Sequence, residues 1–220
     1  MFDTIRAVVF DLDGVLVDTA QFHLAAWRRI AHELGFEFDD SIGEALKGVG
    51  RETALGIVLD AGEVTLDAAA LTATASRKNR YYNEHLDSLD PSALLPGAED
   101  ALARLRAHGI PVALASASRN ARTILRTTGI ESSFDAVVDG LVVTRAKPDP
   151  TVFLVAAERL GVPPEQCLVF EDALAGVEGA RRAGCMVVGV GDPAVLTEAD
   201  AVVPTLADFD WSELTEGATR

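Results

Sequence analysis

Asp11 and Asp13 stand two residues apart where an apolar run, Ala7 to Phe10, gives way to Gly14. Alternation along an extended chain places both carboxylates on one side. Like charges that close repel and raise each other's pKa, so the pair is costly unless a cation and a reaction use it. Asp11 reads as nucleophile and metal ligand, and Asp13 as proton carrier; a strand followed by an Asp-Gly turn is the plainer alternative. Three further polar clusters follow strand-like runs. Ser116-Ala117-Ser118-Arg119-Asn120 leads into a helical pattern, where a hydroxyl and backbone N–H groups suit a phosphate; simple capping by Ser118 or Asn120 would also explain them. Lys147-Pro148-Asp149-Pro150 holds Lys147 on a stiff turn before the next helix, as it would an ordinary surface lysine. Glu171-Asp172 opens a helix, where the dipole favours acids in any case.

The four clusters gain meaning if they share one rim of one sheet. Oxygen ligands from Asp11 and Asp172 suit Mg²⁺, which binds through one or two carboxylates plus a phosphate and keeps several waters. Ser116 and Lys147 would then neutralise a phosphoryl group brought to Asp11. Nucleophile, metal, cation and acid/base are the parts that phosphoryl transfer to a carboxylate requires.

The elements needed to bring the clusters together are legible. Strand-like runs recur at Ile5–Phe10, Val112–Ala115, Ala136–Val138, Cys167–Phe170 and Met186–Val190, with a weaker one at Ala201–Val203. Helical patterns at Ala98–His108, Ala121–Thr128, Val152–Leu160 and Ala173–Ala183 alternate with them, and Gly109, Gly129, Gly161 and Gly184 stand at the stops. That alternation predicts βαβ units and a parallel sheet. It is broken once. Between the first strand and Val112 lie helical patterns at Ala20–Leu34, Arg51–Ala61 and Asp67–Leu86, the first capped by Asp18 or Thr19 and ended by Gly35. The chain therefore reads as an α/β core of residues 1–16 and 90–220, with a helical cap of residues 17–89 inserted beside the aspartates. Ligands of open α/β sheets bind at the carboxyl ends of the strands, so the insertion is placed to act as a lid.

Composition excludes several functions. Of 220 residues 49% are hydrophobic and 24% charged, the balance of a globular protein. Nineteen basic residues against 34 acidic ones leave a net charge of −15, which argues against nucleic acid and anionic membranes but not against a phosphorylated small molecule. No stretch approaches the roughly 20 apolar residues of a membrane helix, and no basic-then-apolar leader precedes the first strand. Cys167 and Cys185 lie in apolar segments and read as reduced core residues. A soluble, cytoplasmic protein is expected.

In order and spacing, Asp11-Leu12-Asp13-Gly14-Val15, Ser116, Lys147-Pro148 and Glu171-Asp172 resemble the four signature motifs of the haloacid dehalogenase superfamily, and the insertion resembles its small helical cap. The likeness extends through His23 to Trp27, Leu46-Lys47-Gly48-Val49 with Arg51-Glu52, Arg77-Lys78-Asn79, Ala113 to Ser118 with Asn120, and Gly189-Val190-Gly191. These segments are similar to those of the superfamily's sugar-phosphate mutases. The resemblance implies a Rossmann-like fold, a monomer, and Mg²⁺ bound by Asp11, Glu171, Asp172 and the backbone carbonyl of Asp13. It implies that Ser116, Ala117 and Lys147 hold the transferring phosphoryl group, while Arg51, Ser118, Arg119 and Asn120 hold the substrate's other phosphate. Lys78 would reach the sugar, Lys47 and Gly48 would contribute from the cap, and Thr19 and His23 would act at the hinge. The implied reaction interconverts β-glucose 1-phosphate and glucose 6-phosphate through phospho-Asp11 and a bisphosphate; hydrolysis of a sugar phosphate on the same core is the alternative. Three positions depart from the family pattern: Arg119 replaces a common lysine, and Gly50 and Ala173 replace common serines.

Overall fold

The computed structural model describes residues 2, 4–39, 41–46, 49–86, 89–143 and 145–215. Six strands form one parallel sheet: β1 (Ala7–Phe10), β2 (Val112–Ala115), β3 (Ala136–Val138), β4 (Cys167–Glu171), β5 (Met186–Val190) and β6 (Ala201–Val203), in the order β3-β2-β1-β4-β5-β6. The central strands are buried along their whole length, which is why they read as unbroken apolar runs and not as alternating ones. Alternation survives in where their side chains go. Val8 and Phe10 enter one core with Leu114 and Phe170, while Ala7 and Val9 enter another with Ala113, Phe153 and Val177. The second core lies under α7 (Thr151–Leu160) and α8 (Leu174–Ala183), which cover β1 to β3 and β4 to β5 respectively. The expected Rossmann-like α/β architecture is the one observed. Both cysteines are buried and unbridged, as their apolar surroundings implied.

The chain leaves this sheet after β1 and returns before β2, and α1 (Ala20–Leu34), α2 (Ser41–Ala45), α3 (Arg51–Ala61) and α4 (Ala68–Leu86) lie in between. Three of the four were legible; α2, at five residues, is too short to show a periodic stripe. Helix α1 lies along α4, joined by Ile30, Trp27, Tyr81 and Tyr82 in a core continuous with that of the sheet. The outgoing and returning strands of chain hold one another: Asp18 N–H donates to Ala93 O (3.1 Å), Leu95 N–H donates to Leu16 O (2.9 Å), and Val17 bridges Leu94. Helices α5 (Ala98–Ala107) and α6 (Ala121–Thr127) flank β2, and α9 (Ser212–Thr215) closes the described chain. Gly35, Gly109, Gly129, Gly161 and Gly184 all have positive φ at helix ends, as their positions in the sequence predicted.

One capping expectation is corrected. Thr19 is the N-cap of α1, yet its hydroxyl makes no cap bond; it donates to Asp13. A carboxylate six residues earlier competes successfully for it, since hydrogen bonds to ionised acceptors are the stronger kind.

Candidate functional site

The order of strands reverses at β1, with β2 and β3 on one side and β4 to β6 on the other. A crevice at the carboxyl ends of the strands forms at such a point, and the predicted clusters meet there. Asp11 follows β1 and is 4% exposed. Lys147 Nζ donates to Asp11 Oδ1 at 2.5 Å and also to Glu171 Oε1. Lys147 itself is 3% exposed, so the reading as an ordinary surface lysine is wrong. Its partners lie 136 and 24 residues away, which no local pattern reveals. Burial works against the Lys147 ammonium, but Asp11 and Glu171 outweigh it and hold its pKa above the usual lysine value. Burial raises the Glu171 carboxyl, against the pull of Lys147 and with help from Asp11. Glu171 Oε2 also accepts the Ala173 N–H (3.1 Å).

Asp11, Glu171 and Asp172 each present one oxygen, and these lie within 4.8 Å of one another. One ammonium does not balance three carboxylates gathered so closely, whereas a divalent cation would. All-oxygen donors in such a cluster fit a hard ion such as Mg²⁺. The backbone around them is built for close approach. A Cβ on Gly176 would stand 1.9 Å from the Glu171 carboxyl, and one on Gly14 would stand 2.2 Å from Asp172 Oδ2. Gly14 also has a φ of +84°, which other residues rarely adopt.

Asp13 faces the same crevice but keeps different company. Its carboxylate accepts the Thr19 hydroxyl and lies 3.9 Å from His23 Nε2. Enclosure, and then the charge of Asp11, push its pKa up to about 6, although the Thr19 bond pulls the other way. The opposite wall comes from the helical insertion. His23 on α1, Arg51 at the start of α3 and Lys78 on α4 line, with Asp11, Asp13, Asp172 and Ala117 to Asn120, a cavity of about 170 Å³. Lys78 is 4% exposed, 2.7 Å from His23 Nδ1 and about 5 Å from the ring centres of Trp27 and Tyr82. Burial and then Arg51 push its pKa down to about 7, against the pull of Asp13. Burial, Lys78 and Arg51 hold His23 well below the usual imidazole range. A neutral His23 accepting from Lys78 at Nδ1 carries its proton on Nε2, towards Asp13.

Thr19, Ser116, Lys147 and Glu171 are buried behind the residues that line this cavity. Ser116 Oγ accepts the Ser118 N–H (3.1 Å), and Ser118 Oγ accepts the Asn120 N–H (3.2 Å), so the loop after β2 holds its own shape. Asn120, the N-cap of α6, makes no side-chain cap bond; its amide is turned across the cavity instead. Arg119 lies on the cavity rim, with Nε 3.4 Å from Gly140 O, and its charge adds to burial in lowering the Arg51 pKa. Lys47 and Gly48 fall outside the described residues. Sequence reasoning did not pick out Asn79 or Trp27 as site residues, yet both line the cavity. The available signal was spacing from predicted site residues: Asn79 adjoins Lys78 on α4, and Trp27 stands one turn after His23 on α1.

The haloacid dehalogenase-like hydrolase family model matches residues 5–184. A β-phosphoglucomutase of Bacillus subtilis is 41% identical over 96% of this chain and 94% of its own. A phosphorylated carbohydrates phosphatase of Thermotoga maritima is 35% identical over 90% of this chain and 92% of its own. The crystal structure of a β-phosphoglucomutase from Clostridium difficile superimposes with a TM-score of 0.92 at 35% identity, covering 98% of this chain and 97% of that one.

Proposed function

We propose, because this chain belongs to the haloacid dehalogenase-like hydrolase family, that it is a β-phosphoglucomutase interconverting β-glucose 1-phosphate and glucose 6-phosphate. The observation that carries this reading is the cavity with two unlike walls. Carboxylates Asp11, Asp13 and Asp172 from the core and cationic Arg51 and Lys78 from the insertion line the same cavity of about 170 Å³, with Arg119 at its rim. A hydrolase needs the first wall; a mutase also needs the second, because its substrate carries a phosphate at each end halfway through the cycle.

In this reading Asp11 attacks phosphorus and becomes phosphorylated, and Lys147, already bonded to Asp11, balances the charge on the transferring group. Asp11, Glu171 and Asp172 would hold Mg²⁺, whose chemistry here is to neutralise charge on the phosphoryl oxygens. Asp13 takes the proton of the sugar hydroxyl as phospho-Asp11 gives up its group, and returns a proton to the leaving oxygen in the opposite half-reaction. A carboxyl with a pKa near 6 holds either form close to neutrality. Arg51 offers a planar fork to the phosphate that is not reacting, which has to be held in both orientations of the bisphosphate. Residues 17–89 act as the cap that excludes water from phospho-Asp11 during that turn.

The test is phosphorus NMR of the protein with Mg²⁺, β-glucose 1-phosphate and a trace of glucose 1,6-bisphosphate. Glucose 6-phosphate formed without matching inorganic phosphate is the expected result. Inorganic phosphate as the main product would make the enzyme a sugar phosphatase, the activity named for the Thermotoga maritima relative.

A further inference from the structure

Asn79 lies on α4 beside Lys78 and has no part in the scheme above. Its Oδ1 accepts from Arg51 Nη2 at 2.7 Å and from Asn120 Nδ2 at 2.9 Å. A guanidinium can only donate, so the Asn79 atom facing Arg51 has to be the carbonyl oxygen. Asn120 must then present its NH₂ to that same oxygen. One acceptor thus joins the insertion, through Arg51 and Asn79, to the core, through Asn120. The three side chains are half-buried and line the same cavity, with Arg119 at its rim.

We propose that Asn79 is a positioning residue: its amide oxygen fastens the cap to the core and fixes where Arg51 and Asn120 point. The donors that converge on it are those a phosphate would use. An uncharged acceptor suits this task, because it orients the Arg51 fork without cancelling its charge. A carboxylate in its place would hold both donors at least as firmly, yet compete with the substrate's phosphate for Arg51. The proposal rests on the reading that Arg51 grips the non-reacting phosphate, and it adds the residue that aims it.

The test compares Asn79→Ala, Asn79→Asp, Asn120→Ala and the double alanine variant. Two readouts are taken: mutase KM and kcat, and the cap-to-core distance by pulsed dipolar spectroscopy between spin labels at Glu84→Cys and Arg104→Cys. Asn79→Ala should raise KM about tenfold, the worth of one hydrogen bond to a charged group, with a smaller change in kcat. It should also broaden the distance distribution. Asn120→Ala should broaden the distribution alike, and the double variant should go no further, since the two residues act through one contact. Asn79→Asp should keep the narrow distribution while raising KM at least as much as alanine does. A distribution broadened further in the double variant than in either single one, a distribution unmoved by Asn79→Ala, or equal changes in KM and kcat would overturn the proposal. If the unaltered enzyme forms no glucose 6-phosphate, the mutase reading fails by itself and the distance measurement alone decides the role of Asn79.

Discussion

Asp13 and Lys78 are displaced towards each other from opposite ends of the pH scale, one pushed up to about 6 and the other down to about 7. Lys78 faces His23, Arg51, Asp13 and the rings of Trp27 and Tyr82. His23 is neutral throughout this range, and Arg51 keeps its charge far above it. As pH rises through about 7, Lys78 is therefore, among the described cap groups that line the cavity, the one whose charge is lost, and KM for β-glucose 1-phosphate should rise. Lys78→Met should raise KM at pH 6 and flatten the profile above 7; a slope that survives the substitution would assign the titration elsewhere. The same shift has a stability consequence of fixed sign. Between about 7 and 10.5 the folded chain binds fewer protons at Lys78 than the unfolded one does. Its cost to stability is full below that window and fades as pH climbs through it. Asp11→Asn should abolish turnover of either sugar phosphate, because an amide cannot take up the phosphoryl group; retained turnover would sink the covalent route. Residue types made Asp11, Asp13 and the acidic pair conspicuous in the sequence. The two bonds of Lys147 were not legible there, and nor was the one oxygen of Asn79 shared between Arg51 and Asn120, because each depends on chain segments brought together only by the sheet.

Elements were easier to read than contacts, and for a definite reason. Helix stops at Gly161 and Gly184, and buried strands such as Cys167–Glu171, follow from backbone conformation and local burial. What a local pattern does not contain is how close two elements come. Gly176, the third residue of α8, looks like a defect by propensity, since alanine would favour the helix by about 1 kcal/mol. The structure reverses that sign, because its missing Cβ is the space occupied by the Glu171 carboxyl. Gly176→Ala should displace Glu171 from Lys147 and from the Asp11–Asp172 cluster. We expect activity to fall at least about tenfold, with the loss concentrated in a higher Mg²⁺ requirement, as supporting groups around a metal typically give on mutation. Titration of activity against Mg²⁺ checks this, and an unchanged midpoint would show that Glu171 moves without consequence for the metal.

For the whole molecule, a net charge of −15 repels phosphate at long range, so affinity has to be built locally where screening is weak. The chain does this by spending its early helices on a second wall whose cations face the carboxylates of the sheet. That division separates two tasks. In the proposed cycle, phosphorylation of Asp11 would use Lys147, Glu171 and Asp172, all from the core, and a donor as small as acetyl phosphate would place nothing in the cap. Transfer to a sugar, on the same reading, would use both walls at once, one phosphate reacting while Arg51 keeps the other. Each hydrogen bond to a charged group contributes about 1.5–3 kcal/mol, so losing a bidentate pair with Arg51→Ala should lower mutase kcat/KM by about a hundredfold or more. Hydrolysis of acetyl phosphate should fall far less, and leakage of phospho-Asp11 to water should increase, because a cap not held by the substrate's second phosphate leaves the intermediate open to solvent. Parallel assays of the two donors decide the matter. An equal loss in both would mean that Arg51 supports the core chemistry or the fold, and that the two walls do not divide the work in this way.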